Sequence, residues 1–402
     1  MKKFIVVTLL LLLIIGVVIF FVYRSRQPQL IAKLPPWCEI YFSQVYSGNP
    51  EVVKKNPRNI DEMLAQKLNF AQRTIDAALY ELDSEVIADA LIDAYKRGVK
   101  VRVVTETDYM TEYSIKRIQR AGIRVANDMG RSGLMHDKFI VIDGRYSWTG
   151  SFNTTDNGAY KNNNNAIFID SPKIAQNFET EFERLCGESA IPLKMFTKKR
   201  FGGRSHENIP NPVVRMPDGT EIRTLFSPEN DVVDAITSEL KRARKSIFFM
   251  AFSFTHRKIG QAMIDRYRAG IDVRGIFEKR GSESSYSQYP KMKAIGISVK
   301  QDNNRWILHH KVIIIDGETV ITGSFNFSNN AAKTNEENIL IISGNRAIAK
   351  AYLDEFARLY NETISVLPGG TTTILMAYAL PKNVNHLREI NITIWRVAAL
   401  AL

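Results

Sequence analysis

Two cysteines and six histidines are all that this chain of 402 residues offers to thiol or soft-metal chemistry. No HExxH run and no Cys/His cluster occurs, which argues against a zinc site. Cys38 and Cys186 flank the first half. They either close one disulfide in an exported protein or stay as two partly buried thiols. There is no lipobox cysteine, and no small-x-small cleavage site follows the amino-terminal apolar run. No aromatic-interleaved nucleic-acid signature is visible. Acidic residues are the scarcer charge, 42 against 54 Lys and Arg, and the net charge of +12 favours an anionic partner.

What the chain does have is one spacing written twice. His136, Lys138 and Asp143 lie in MHDKFIVIDG, and His309, Lys311 and Asp316 lie in HHKVIIIDG. Each copy is followed by a polar run, GSFNTT with Ser151 and Asn153, then GSFNFS with Ser324 and Asn326. In both copies the serine stands fifteen residues after the histidine and the asparagine seventeen. These residue types suit phosphodiester chemistry. Histidine, with an ordinary pKa of about 6.5, serves as base, acid or nucleophile. Lysine places a point charge on a phosphate oxygen, and serine and asparagine add neutral donors. The runs FIVID and VIIID read as buried strands. Alternation then puts His136, Lys138 and Ile140 on one face, while Asp143 faces elsewhere and ties down the turn at Gly144. The other histidines, His206, His256, His310 and His386, lack this context.

The repeat extends beyond the motifs. RTIDAALYELDSEVIADALIDAYKRGVKVRVVTE from Arg73 has its partner in KSIFFMAFSFTHRKIGQAMIDRYRAGIDVRGIFE from Lys245. Each reads as strand, helix, glycine stop (Gly98, Gly270) and strand, with an amphipathic helix before it over about 60–72 and 231–244. PKIAQNFETEFERL and NRAIAKAYLDEFARLY close the two halves as helices. The alternation predicts an α/β fold of two similar α/β/α sandwich domains, 36–190 and 213–366, joined by a basic linker over 191–212. One motif per half places a single active site between them.

These features resemble the phospholipase D superfamily, whose members carry paired HxKxxxxD motifs. The likeness covers about residues 38–366. It implies a two-step hydrolysis with no metal and no cofactor, through a phosphohistidine, with water as second substrate. It makes His136 and His309 the nucleophile and acid/base pair, with His136 the favoured nucleophile. It groups Lys138, Lys311, Asp143 and Asp316 with the catalytic set. Asn153 and Asn326 join the lysines in a phosphate clamp, supported by Ser151 and Ser324. In the nuclease-like branch a glutamate twenty-eight residues after the histidine orients a motif histidine. Glu337 keeps that place in the second half, and Asn164 takes it in the first, at the substrate-binding edge. The two histidines should therefore be inequivalent.

Residues 4–23 form an uncharged, mostly apolar run long enough to cross a bilayer core of about 30 Å, which predicts an uncleaved single-pass anchor. A short basic amino terminus kept in the cytosol would put the catalytic part on the far side of the membrane. Lys194, Lys198, Lys199, Arg200 and Arg204, with Lys241 to Lys245, form basic stretches for nucleic acid or acidic lipid, or plain solvated surface. The expected partner is a phospholipid membrane, with nucleic acid the alternative, and one chain should suffice for activity. Hydrolysis of phospholipid head groups is the favoured reading. A membrane-anchored nuclease is the first alternative and a cardiolipin-synthase-like transferase the second. No role is assigned to the tail, 367–402.

Overall fold

In the computed structural model, residues 33–45, 48–130, 132–189 and 209–362 are described. The expected anchor at 4–23, most of the basic linker and the tail lie outside them. Among the described residues no helix is long and apolar enough to cross a membrane.

The first half contributes β1 (Cys38–Phe42), β2 (Thr74–Leu79), β3 (Lys100–Thr105), β4 (Arg124–Asn127), β5 (Lys138–Ile142), β6 (Tyr146–Gly150) and β7 (Asn165–Asp170). They form a seven-stranded sheet in the order β1-β7-β6-β5-β2-β3-β4. The second half contributes β8 (Val214–Arg215), β9 (Glu221–Ser227), β10 (Ser246–Ala251), β11 (Asp272–Phe277), β12 (Ser298–Gln301), β13 (Lys311–Ile315), β14 (Thr319–Gly323) and β15 (Glu337–Ser343). Their order is β12-β11-β10-β13-β14-β15-β9-β8. Both sheets are mixed. In the first, β2, β3 and β4 are parallel, joined through helices, whereas β5, β6 and β7 are antiparallel neighbours.

The motif strands are apolar on both faces because both faces are covered. Phe139 and Val141 enter a central core, while Ile140 and Ile142 enter an outer one. Val312 and Ile314 split from Ile313 and Ile315 in the same way. The outer core of the first half lies under the helices Ile60–Asn69, Glu85–Lys96 and Tyr113–Arg120. The central core is shared. It holds the closing helices, Pro172–Ser189 and Arg346–Glu362, and residues of both sheets. Phe178 meets Phe139 at 5.0 Å and Phe226 of the other half at 5.5 Å. At the matching turn of the second closing helix, Tyr352 meets Phe42 of the first half at 5.5 Å. The halves are thus repeats that share one core. Cys38 and Cys186 are free thiols.

Register sets the site. Leu79 at the end of β2 pairs with Lys138, and Ala251 at the end of β10 pairs with Lys311. Both motifs therefore open where parallel strands end, the usual place for a site in such sheets.

Candidate active site

The segments before the motif strands cross from one half to the other. Met135 bridges Glu336, and His136 N–H donates to the Glu336 carbonyl at 3.0 Å. Asn163 bridges Leu308, and His309 N–H donates to the Asn163 carbonyl at 2.9 Å. Each histidine is thereby laid beside Glu337 or Asn164 of the opposite half.

Side chains complete the exchange. His136 Nδ1 lies 2.8 Å from Glu337 Oε2. His309 Nδ1 lies 2.9 Å from Asn164 Oδ1 and 3.0 Å from the Ser151 carbonyl. Asn164 Nδ2 donates to the Gly158 carbonyl, so its Oδ1 is the acceptor facing the ring. A carbonyl only accepts, which assigns the proton to His309 Nδ1 and leaves Nε2 for a substrate. The same tautomer follows at His136 with Glu337 ionised.

Ser151 and Ser324 act behind this layer. Ser151 Oγ donates to Asn164 Oδ1 at 2.9 Å, and Ser324 Oγ donates to Glu337 Oε2 at 2.7 Å. The sequence grouped both serines and Asn164 with the substrate. All three are buried and their bonds hold histidine partners instead. The glycine of each GSFN run permits this. Gly150 and Gly323 have φ of 152°, and an added Cβ would stand 2.3 Å and 2.2 Å from the Asn165 and Asn338 carbonyls.

The lysines are placed alike. Lys138 Nζ donates to the His136 carbonyl and Lys311 Nζ to the His309 carbonyl, each at 2.8 Å. Lys138 lies 4.8 Å from the Tyr80 ring centre, and that ring sits 4.7 Å from the His136 ring. Phe252 serves Lys311 at 5.0 Å and His309 at 4.8 Å. His136 and Lys138 thus share a face, as strand alternation requires. Asn153 and Asn326 each bury an Oδ1 with no partner among the described residues.

Electrostatics tie the two motifs into one site. Burial, then the charges of Lys138 and Lys311, depress the His136 imidazolium well below its ordinary value. Burial, then Lys311, Lys138 and His136, does the same to His309. Burial pushes Glu337 up to about 8 against the pull of Lys138. Burial also brings Lys138 down to about 8. A phosphate between the lysines would relieve the cost of burying their charge and that of a histidinium beside them, because its charge offsets theirs.

The motif aspartates lie elsewhere. Asp143 and Asp316 sit five residues beyond the lysines, about 17 Å along an extended strand. Asp143 accepts from the backbone of Gln72, Arg73 and Thr74, and Asp316 from Arg244, Lys245 and Ser246. Their φ values, 57° and 55°, with Gly144 and Gly317 also positive, fit the type I′ turn that a tight hairpin needs. Grouping them with the catalytic residues is corrected by this placement: their carboxylates fasten the starts of β2 and β10, rather than the turn at Gly144 alone.

Several residues escaped the sequence reading. Tyr80 and Phe252 form the site walls. Glu106 Oε2 accepts from Met135 N–H at 2.7 Å and Glu278 Oε2 from Leu308 N–H at 2.6 Å, fixing the backbone just before each histidine. A signal existed, since the repeated segments end on these two glutamates. Behind His136, Glu181, Glu229 and Glu336 offer oxygens within 4.8 Å of one another. The Arg184 guanidinium contacts all three and supplies the counter-charge a metal ion would bring.

The family described as cardiolipin synthase, PLD-like domain, matches residues 64–186 and 236–360, one stretch in each half. A mitochondrial cardiolipin hydrolase of Xenopus tropicalis is 37% identical over 123 residues, 31% of this chain. The chain spans 58% of that relative's length. A phospholipase D of Rickettsia felis is 34% identical over 137 residues, covering 34% of this chain and 68% of that protein. The crystal structure of phosphatidylserine synthase from Haemophilus influenzae Rd KW20 matches with a TM-score of 0.55 at 12% identity, over 75% of this chain and 84% of that one. That last likeness is one of fold.

Proposed function

The chain belongs to the phospholipase D superfamily, and on that premise we propose that it is a phosphodiesterase hydrolysing phospholipid head groups through a covalent phosphohistidine. The crosswise pairing of His136 with Glu337 and His309 with Asn164 carries this reading. A carboxylate on Nδ1 raises the electron density at Nε2 and stabilises the charge that develops on attack. His136 is the better placed nucleophile for that reason. Its Nε2 forms the bond to phosphorus as the bond to the headgroup oxygen breaks, and His309, which takes up a second proton at Nε2 once the bound phosphate offsets the lysine charges, gives that proton to the oxygen. Water then loses a proton to His309 and attacks phosphorus, the phosphorus–nitrogen bond breaks, and His136 is released. Lys138, Lys311, Asn153 and Asn326 hold the non-bridging oxygens, so positive charge comes from side chains.

Relatives named cardiolipin hydrolase and phospholipase D support a lipid substrate. The apolar run at 4–23 would keep the enzyme beside it, with the catalytic part extracytoplasmic. Both motifs lie in one chain, so a monomer has a complete site. The test gives the detergent-solubilised full chain labelled phosphatidylcholine, phosphatidylglycerol and single-stranded DNA, each with EDTA. Release of choline or glycerol supports the proposal. Cut DNA with intact lipid would replace the substrate, and loss of all activity in EDTA would contradict the metal-free chemistry.

A further inference from the structure

Behind His136 lies an ion pair that the repeat does not duplicate. Arg184 and Arg358 stand at the same place in the two closing helices, in EFERL and EFARL. Each pairs with the glutamate one turn before it, Arg184 with Glu181 at 2.5 Å and Arg358 with Glu355 at 2.7 Å. Arg184 also crosses to the second half, where it lies 3.3 Å from Glu229 Oε1 and binds Glu336 Oε2. The first half has Asn163 where the second has Glu336, and Asn163 Oδ1 accepts from Asn304 Nδ2 instead.

The Arg184 side chain is 6% exposed and that of Glu336 is wholly buried. A buried ion pair spends much of its attraction on desolvation, so it adds little stability over an apolar contact, yet its geometry is strict. What this pair holds is direction. Glu336 N–H donates to the Leu134 carbonyl at 2.8 Å, its own carbonyl accepts from His136 N–H at 3.0 Å, and Arg184 grips its carboxylate. Three attachments thus fix Glu336 against the segment that delivers His136. Successive side chains of extended chain point to opposite sides. With Glu336 turned to Arg184, Glu337 is turned to His136, 2.8 Å from its Nδ1. A backbone rotation at Glu336 would swing the Glu337 carboxylate off the ring, and a displacement of about 1 Å at a reacting group is costly.

We infer that Arg184 and Glu336 are a positioning pair for this reaction, acting through Glu337 to hold its carboxylate on His136. The inference rests on the phosphodiesterase reading above, with His136 as nucleophile, and adds the groups that aim its partner. On the His309 side the same place in the chain is the neutral Asn163, so the device belongs to one histidine.

The detergent-solubilised full chain would be assayed on bis(4-nitrophenyl) phosphate with EDTA, unaltered and as Glu336→Ala, Glu336→Gln and Arg184→Lys. Glu336→Ala would be repeated on the Glu337→Gln and Asn164→Ala backgrounds. Glu336→Ala should lower kcat about tenfold with KM changed by at most about twofold, since the lysines are untouched. Arg184→Lys, which keeps the charge and loses the planar fork, should lose about as much. Glu336→Gln, which keeps an acceptor for the guanidinium, should recover most of the loss. With Glu337→Gln in place, Glu336→Ala should cost at most about twofold more, whereas with Asn164→Ala it should keep its cost of about tenfold. Equal further losses on the two backgrounds, an unchanged kcat in Glu336→Ala, or a loss carried by KM would overturn the inference and leave the phosphodiesterase reading intact. Failure of all the variants to fold would overturn it too, because the pair would then be an element of stability. An unaltered protein inactive on this substrate overturns that reading, and the inference with it.

Discussion

Glu337 and Asn164 occupy one position of the repeat, and in the proposed mechanism the difference of a carboxylate for an amide separates the roles of the two histidines. A hydrogen bond to a charged group contributes about 1.5–3 kcal/mol and one between neutral groups about 0.5–1.5. At about 1.4 kcal/mol per tenfold, Glu337→Gln should slow turnover by roughly 10- to 100-fold and Asn164→Ala by at most about tenfold. Steady-state kinetics on bis(4-nitrophenyl) phosphate check this, and an equal loss in the two variants would contradict the assignment of unequal roles. The doubled spacing made the histidines, lysines and asparagines legible as a set. It did not reveal that each polar run serves the histidine of the other half, because spacing along the chain carries no information about which strand ends meet. The motif aspartates show the opposite hazard. Their regular spacing reflects a hairpin turn and a backbone anchor, so recurrence marked a structural requirement as firmly as a chemical one.

At the scale of elements, the strands and helices were legible because their periodicities differ so clearly. The amphipathic helices were expected over about 60–72 and 231–244 and run Ile60–Asn69 and Val232–Arg242. Less legible was the position of the closing helices, which an α/β alternation assigns to their own sheets. The packing of Phe178 on both Phe139 and Phe226 places its helix between the two sheets. Phe178 is fully buried, and removing such a ring costs about 3–5 kcal/mol. Phe178→Ala should therefore shift a single denaturation transition to lower denaturant. Two separated transitions, with only one displaced, would show that the halves do not unfold as one body.

The whole molecule carries an unusual load of buried acids. Glu81 and Glu106 are pushed up to about 7, chiefly by burial. Asp302 also reaches about 7. Burial also raises Asp137 well above the ordinary range. Between pH 7 and 8 the unfolded chain has already released these protons, whose ordinary values lie near 4, while the folded chain still holds part of them. Stability therefore falls as pH rises through this window. The histidines depressed by burial act below about 6.5, where the unfolded chain takes up protons that the fold resists. Calorimetry should find a lower melting temperature at pH 8 than at pH 7, and a higher one would contradict the placement of these carboxyls.

That the two motifs make one site is the claim on which the rest depends, and a mutant cycle tests it most directly. His136→Ala, His309→Ala and the double variant would be assayed on bis(4-nitrophenyl) phosphate with EDTA present. One composite site predicts that each single change costs about a thousandfold or more, and that the double variant is no slower than the slower single, since groups acting as a unit are non-additive. Two independent sites would leave each single variant with about half the activity, and that result would contradict the account.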